Sequence, residues 1–219
     1  MSIHLAEQEA RALEGFCRRQ LRWDERLPAR IVTTSTALGM FTAPPLGVLV
    51  FVAVPGTMSD DTEPVDVTVS LSQWADMLRD ASQVELTPEL LAPATPAVTA
   101  GASVGHLPPR DGWQVPMAAL SGDLVPLVEQ ATVEFEARSA GLSPRAQETI
   151  ADDIWDKPVW AGLPLRTLHA ARQLGMLTND QSRVSAATSG AWKRLSTTRG
   201  QVFVKASGPA ARLALHVVR

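Results

Sequence analysis

The chain has 219 residues and a formal net charge of −3, a length that allows one large domain or two small ones. Hydrophobic residues make up 45% of the chain, which is typical of a globular protein with a buried core and excludes a disordered one. The single cysteine, Cys17, excludes an intrachain disulfide and a cysteine-based metal cluster, and we expect no metal site and no cofactor.

The near-neutral total hides an uneven distribution of charge along the chain. Residues 1–165 contain 11 basic and 22 acidic side chains, a net charge of −11. Residues 166–219 contain nine basic side chains and one acid, Asp180, a net charge of +8. The C-terminal quarter is therefore where we expect an anionic partner, or an acidic part of the same chain, to bind.

The sequence predicts a cytoplasmic protein with no membrane partner. Its longest apolar run, Leu46–Val54, has nine residues, whereas a membrane-spanning helix needs about 20. The first residues lack the cationic and apolar regions of a signal peptide.

The first 85 residues predict an α+β unit of one helix, three antiparallel strands and a second helix. Alternation of valine with polar residues from Val65 to Leu71 indicates a half-buried strand, and Ser70 and Gln73 have the spacing of a capping box for the helix that follows. The predicted elements are a helix over 3–22, strands over 29–40, 46–54 and 65–71, and a helix ending at Arg79.

Residues 86–120 form a proline-rich connection for which we predict irregular structure. Six prolines and few periodic apolar positions occur there. A loop of this length is a binding loop, a linker, or a connector held to the surface, for which Leu107 and Trp113 are the anchors.

Residues 121–219 predict three helices and then an antiparallel sheet, either as a separate domain or packed with the first unit. Ser121, the pair Ser143-Pro144 and Pro164 mark the three helix starts. Turns at Ser189-Gly190, Arg199-Gly200 and 207–210 predict a four-stranded meander. The first turn pairs Val184 with Leu195 and Ser185 with Arg194, and all three turns assign the same apolar face.

The other face of this meander is the candidate site. It combines cations with aromatic rings, the combination that binds nucleotides and single-stranded nucleic acid. Lys193 is the exception, because the same register places it on the apolar face. The candidate ligand-binding residues are Arg183, Trp192, Arg194, Phe203, Lys205, Arg212 and His216. The alternative is that another layer buries the rings while Asp152, Asp153 and Asp156 neutralise the cations.

Two further hypotheses concern the helices. Arg166, His169 and either Arg172 or Gln173 lie on the polar side of the third helix, and the order helix, Leu174–Leu177, hairpin resembles winged-helix DNA-binding modules over about fifty residues. The carboxylates of Asp152, Asp153 and Asp156, with a histidine, could form an enzyme site, although no catalytic motif accompanies them.

We therefore expect a non-enzymatic binding protein that meets a protein partner, or a second copy of itself in a homodimer, through the polar sheet face or the proline-rich connection. Binding of nucleic acid or another anionic ligand through that face is the alternative, and a carboxylate enzyme around Asp152 and Asp153 comes third.

Overall fold

The computed structural model describes residues 2–58, 64–80, 83–85 and 103–205. It confirms the α+β fold, with helices packed beside antiparallel sheets. The chain divides into two compact units, and the division into 1–85, 86–120 and 121–219 stays a prediction. The N-terminal unit comprises Met1–Leu107, Gln173–Met176 and Arg199–Gln201, and the C-terminal unit comprises Pro108–Arg172, Leu177–Thr198 and Val202–Arg219.

Among the described residues, the N-terminal unit contains two α-helices and strands of two antiparallel sheets. Its strands in the larger sheet lie side by side in the order β6-β2-β3-β4, and the smaller sheet has the order β5-β1-β7. In chain order the elements are β1 (Ser2–His4), α1 (Glu7–Leu21), β2 (Pro28–Thr33), β3 (Ala37–Thr42), β4 (Leu49–Pro55), β5 (Thr57–Met58), β6 (Asp66–Ser70), α2 (Leu71–Asp80) and β7 (Gln83–Glu85).

The core of this unit lies where α1 and α2 pack on each other and on the larger sheet. The predicted apolar stripe of α2 is buried, with Trp74 and Ala75 at 0% exposure. Cys17 of α1 is also at 0% exposure, with its Sγ 3.9 Å from Sδ of Met40 in β3. Apolar residues at helical spacing therefore predicted the buried faces of both helices correctly.

Two predicted elements of this unit are wrong. Ile3 and His4 belong to strand β1 rather than to the first helix, which starts at Glu7. The single strand over 29–40 is instead the hairpin β2–β3, with its turn at 34–36. The Oγ1 atom of Thr34 accepts a hydrogen bond from the backbone N–H of Ala37 at 3.1 Å. A threonine side chain closes this turn, so neither glycine nor proline marks it in the sequence.

In its described part, the C-terminal unit contains three α-helices and four strands that lie side by side in the order β11-β10-β9-β8. Within it, α3 contacts both β8 and α4. The elements are β8 (Gln114–Leu120), α3 (Ser121–Ser139), α4 (Pro144–Trp155), α5 (Leu165–Gln173), β9 (Arg183–Ser189), β10 (Trp192–Thr197) and β11 (Gly200–Lys205).

The proline-rich connection is not irregular throughout. Residues 86–102 lie outside the described part of the chain, but Gln114–Leu120 form β8, which pairs antiparallel with β9. The register shifts between Gln114 and Met117, around Pro116. Proline cannot donate a ladder hydrogen bond and is tolerated in outer strands and at irregularities, which explains why composition concealed this strand.

Ser121 does not cap α3 as predicted. It is the first residue of the helix, is buried, and its Oγ donates a hydrogen bond to the carbonyl of Thr178 at 2.6 Å. The backbone N–H of Thr178 donates back to that Oγ at 2.8 Å. The serine therefore ties the start of α3 to the segment before β9. Ser143 does occupy the N-cap position of α4, with Pro144 following it.

The hairpin β9–β10 forms, with a register displaced from the predicted one. Arg194 pairs with Ala187 and Leu195 with Ala186, two residues away from the predicted partners Ser185 and Val184. Because side chains alternate along a strand, a two-residue shift changes the partners and keeps every residue on its predicted face. The predicted fourth strand and the turn at 207–210 lie outside the described residues.

Among the described helices, none combines the length and the apolar character that crossing a membrane requires.

Candidate functional site: the basic-aromatic face of the C-terminal sheet

The basic-aromatic face is the side of β9, β10 and β11 that carries Arg183, Trp192, Arg194, Phe203 and Lys205. Arg183 is exposed at the start of β9, and Lys205 is exposed at the end of β11. Trp192 and Arg194 are half-buried on β10, whereas Phe203 of β11 is buried at 3% exposure. The other two candidate residues, Arg212 and His216, lie outside the described part of the chain.

Trp113, which sequence reasoning treated only as an anchor of the connection, belongs to this face. Its ring lies 4.4 Å from the guanidinium carbon of Arg194 and 5.8 Å, centroid to centroid, from the ring of Phe203. The indole Nε1–H donates a hydrogen bond to the carbonyl of Pro109 at 2.9 Å. Trp113 therefore holds the end of the connection against the sheet and covers Phe203.

A local turn allows this placement of Trp113. Gly112, with φ of 72°, adopts the left-handed conformation that glycine tolerates, so the chain turns just before Trp113 and the start of β8. Ser189 of β9 donates a hydrogen bond from Oγ to the carbonyl of Asp111 at 3.5 Å, which fixes the same segment to the sheet. The sequence signal for this placement is Gly112 directly before Trp113, together with Ser189 at the end of β9.

Arg194 is the most unusual group on the face. Its Nε is buried without a hydrogen-bond partner, and burial lowers the pKa of its guanidinium. The ring of Trp113 supplies a cation–π contact, which partly replaces lost hydration but accepts no N–H hydrogen bond in the plane of the guanidinium. Arg194 therefore has an unused hydrogen-bond donor, Nε, on a group of the kind that binds carboxylates and phosphates.

The remaining cations of the face also lack carboxylate partners within the part of the chain that the structure describes. No ion pair there includes Arg183 or Lys205. The Nζ of Lys205 lies 6.0 Å from the ring of Trp192, at the outer limit of a cation–π contact. The face thus combines three cations with two half-buried tryptophan rings.

The acidic residues predicted as counter-charges pair with helix arginines instead. Asp153 of α4 contacts Arg138 of α3 at 2.7 Å, and this pairing lowers the pKa of the Asp153 carboxyl. Asp156, directly after α4, forms an ion pair with Arg166 of α5, and Asp152 lies 3.9 Å from the same guanidinium. The carboxylates at 152–156 therefore join the three helices to each other and do not neutralise the cations of the sheet.

Lys193, the exception in the predicted register, lies on the apolar face as expected and has a specific partner. Its Nζ donates a hydrogen bond to the carbonyl of Gly162, in the turn between α4 and α5. The long side chain carries its charge across the apolar face to a backbone acceptor at the edge of the helices.

Three residues on the polar side of α5, where the winged-helix hypothesis places DNA contacts, have partners on neighbouring helices. Arg166 pairs with α4, and Arg172 lies 3.5 Å from Glu129 of α3. His169 stacks on Trp155 at 4.2 Å between ring centroids, and burial lowers its pKa. These contacts join the polar side of α5 to neighbouring helices, and the winged-helix hypothesis stays a prediction.

The described residues assemble no carboxylate–histidine site. Nδ1 of His169 is buried without a hydrogen-bond partner, so it does not bond to Asp152 or Asp153. No group of three or more His, Cys, Asp or Glu side chains in the described ranges is arranged to hold a metal ion.

Two family models match the chain, each over slightly less than half of its length. Residues 1–99 match a domain of unknown function (DUF8010), and residues 108–209 match a second domain of unknown function (DUF8185). The boundary between the two matches falls within the proline-rich connection. No curated protein matches the sequence.

The fold is similar to that of solved bacterial DNA polymerase sliding clamps. The DNA polymerase III β subunit of Caulobacter crescentus aligns with a TM-score of 0.59 and 12% identity, covering 100% of this chain and 69% of that one. For the β subunit of Pseudomonas aeruginosa the TM-score is 0.58, the identity 11% and the coverage 99% and 68%. The Bacillus subtilis clamp gives 0.57 and 10%, with 94% and 64% covered. At this identity the likeness shows the fold alone, over about two thirds of a clamp chain.

Proposed function

We propose that this chain is a non-enzymatic binding protein that holds a partner protein by its carboxylates against the basic-aromatic face. The observation that carries the proposal is Arg194, a half-buried guanidinium that packs on Trp113, has an unpartnered Nε and forms no ion pair with a carboxylate of the described residues. Burial removes water from the guanidinium, and the contact with the Trp113 ring replaces only part of the lost stabilisation. A carboxylate from a partner would supply the missing charge-assisted hydrogen bonds.

The arrangement of the rings favours a protein partner over single-stranded nucleic acid. Sequence-tolerant binding of a strand needs several open rings on which successive bases stack. Phe203 is buried, and the half-buried rings of Trp113 and Trp192 already have Arg194 and Lys205 near them.

The similarity to sliding clamps is compatible with a role in protein assembly. Those proteins are named as subunits of DNA polymerase III, and one of them is described with a putative β-motif tethering region. We extend from them to this chain only the general role of a protein that binds other proteins. Self-association and a cytoplasmic location, both expected from the sequence, remain parts of the same proposal.

The first test measures binding of a fluorescein-labelled decapeptide of alternating glutamate and valine to the full chain by fluorescence anisotropy. The double variant R194A/K205A removes two cations of the face. We expect it to bind at least about tenfold more weakly, because charge-assisted hydrogen bonds are lost together with charge. The control R22A/R145A removes two exposed arginines elsewhere and changes the net charge equally.

Equal weakening in the two double variants would mean that only net charge matters, and it would contradict the proposal. A 15-nucleotide single strand provides the other comparison. If the oligonucleotide binds more tightly than the peptide and R194A/K205A abolishes that binding, the face is a nucleic-acid site and the protein-partner assignment is wrong.

A further inference from the structure

The outer strand of the C-terminal sheet has an open edge. β8 pairs with β9 on one side, and no strand of the described ranges pairs with its other side. Val115 and Met117 on this strand are 59% and 44% exposed. Edge strands of native proteins are usually protected by charged side chains, by proline or by bulges. β8 has no charged side chain between Gln114 and Leu120.

The protection that β8 does have covers only its first half. Pro116 and the register irregularity between Gln114 and Met117 interrupt the ladder there. From Met117 to Leu120 the strand pairs residue by residue with β9, which is the geometry of a regular antiparallel strand. Every second residue of such a strand directs its N–H and C=O to the outer edge. Within the described ranges, the segment Met117–Leu120 therefore presents outward-facing backbone donors and acceptors that no strand pairs with.

This open edge borders the basic-aromatic face. Ala118 pairs with Ser185 and Leu120 pairs with Arg183, and directly paired residues share a face of the sheet. Arg183 is exposed and has no ion pair among the described residues. Strands in a sheet are spaced about 4.8 Å apart. A strand added to β8 would thus lie two strand spacings, about 9.6 Å, from the strand that carries Arg183, with β8 between them. The long side chain of Arg183 would extend over β8 toward the added strand.

We propose that the partner contributes an extended acidic segment that adds to the edge of β8 over Met117–Leu120 and continues the sheet. Backbone hydrogen bonds to β8 supply one part of the affinity. Alternate carboxylates of the added strand lie on the basic-aromatic face and pair with its cations, Arg183 first. This inference rests on the proposed function, to which it adds the place and the conformation of the bound segment.

Charge complementarity favours an acidic segment over a second copy of β8. Pairing two β8 strands about a two-fold axis would bring two interrupted ladders together and would supply no carboxylate to Arg183. The two Arg183 side chains would instead both remain unpaired. An acidic extended segment would face the irregularity of a single β8 strand and would place a carboxylate near Arg183. Its backbone has the amide donors and acceptors that the edge requires.

The test compares the glutamate–valine decapeptide with the same peptide N-methylated at every residue. The methylated peptide keeps its carboxylates but donates no backbone hydrogen bonds, so strand addition predicts binding weakened by at least about tenfold. The protein variant R183E should weaken binding of the unmethylated peptide by a similar factor. The control variant R145E reverses an exposed arginine of α4 and should leave binding within about twofold.

The outcomes separate the inference from the proposed function. If both peptides bind equally while R194A/K205A weakens them, the face binds carboxylates without strand addition, and only this inference is overturned. If R183E and R145E have equal effects, the location at β8 is wrong. If neither peptide binds, both proposals fail. If the chain sediments as a dimer whose β8 edge excludes the peptide, a second copy is the occupant and the acidic segment is wrong.

Discussion

Among single residues, two half-buried basic side chains, Arg194 and His169, pack against a tryptophan ring instead of a carboxylate. Arg194 packs on Trp113, and His169 packs on Trp155. Both have a buried nitrogen without a hydrogen-bond partner, and burial lowers the pKa of both. The two differ in consequence, because arginine stays charged at every accessible pH and histidine does not.

His169 should make stability depend on pH in the mildly acidic range. Because its pKa in the folded protein is below the ordinary value of about 6.5, the unfolded chain binds the proton more readily. Stability is therefore complete above pH 6.5 and decreases as the pH falls through that value toward the lowered pKa. Chemical unfolding at pH 7.5 and 5.5 should give a smaller difference in unfolding free energy for H169Q than for the unchanged chain.

His106 provides the matched control, since it is an exposed histidine. The variant H106Q should keep the full decrease in stability between pH 7.5 and 5.5. A decrease of equal size in H169Q and in the unchanged chain would show that burial of His169 does not govern this range.

Among the secondary-structure elements, two glycines differ in what surrounds them: tight packing requires glycine at position 39 of β3, whereas position 15 of α1 has room for a side chain. Gly39 lies in β3 beneath the ring of Phe51, which itself stacks on Phe41 at 4.5 Å between centroids. A Cβ at Gly39 would be 2.7 Å from that ring and 3.0 Å from a methyl group of Val32. A Cβ at Gly15 in α1 would find its nearest neighbour, an Arg19 nitrogen, at 3.7 Å, an ordinary contact.

These contacts predict opposite effects of the same substitution. G39A should destabilise the protein by about 1–3 kcal/mol, because the Phe41–Phe51 pair must shift to admit a methyl group. G15A should stabilise it by roughly 0.5–1 kcal/mol, because alanine is the better helix former. Thermal unfolding of the two variants checks both signs, and a neutral G39A would show that the ring moves without cost.

Elements were predictable where their side chains follow a period and were missed where they do not. The buried faces of α1 and α2 follow helical spacing, as the sequence indicated. The turn at Thr34 lacks glycine and proline, and β8 contains Pro116, so local composition concealed both. The predicted cap at Ser121 failed for a different reason: its hydroxyl bonds to Thr178, 57 residues away, where no local pattern can reveal it.

At the scale of the whole molecule, ion pairs with lowered carboxyl pKa values occur in both units. Arginine partners lower the pKa of Asp76 in the N-terminal unit and of Glu134 and Asp153 in the C-terminal unit. For a carboxyl with a lowered folded pKa, the stabilisation is present above the ordinary value near 4 and is lost as the pH falls through the folded pKa. These pairs are exposed, so salt also weakens them.

The whole chain should therefore lose stability in two ranges of pH. The first lies below about 6.5 and depends on His169, and the second lies below about 4 and depends on the carboxyl groups. In the H169Q background only the second should remain. In 0.5 M sodium chloride the ion pairs are already weaker at pH 7. The decrease in unfolding free energy between pH 7 and a pH below 4 should therefore be smaller in salt than without it. A single transition in H169Q that still begins near pH 6.5 would contradict this assignment.

The alternation of side chains predicted correctly which face of β9 and β10 each residue occupies, because alternation along a strand survives a register shift of two. It placed Arg194 on the same face as Ser185 and Ala187, while the use of that face as a binding site stays a prediction. Only the tertiary structure decided what lies over that face. Trp113 reaches it from a connection without periodicity, and the carboxylates at 152–156 bind helix arginines instead of the sheet. Contacts between distant segments depend on packing in three dimensions, and no pattern of local spacing encodes them.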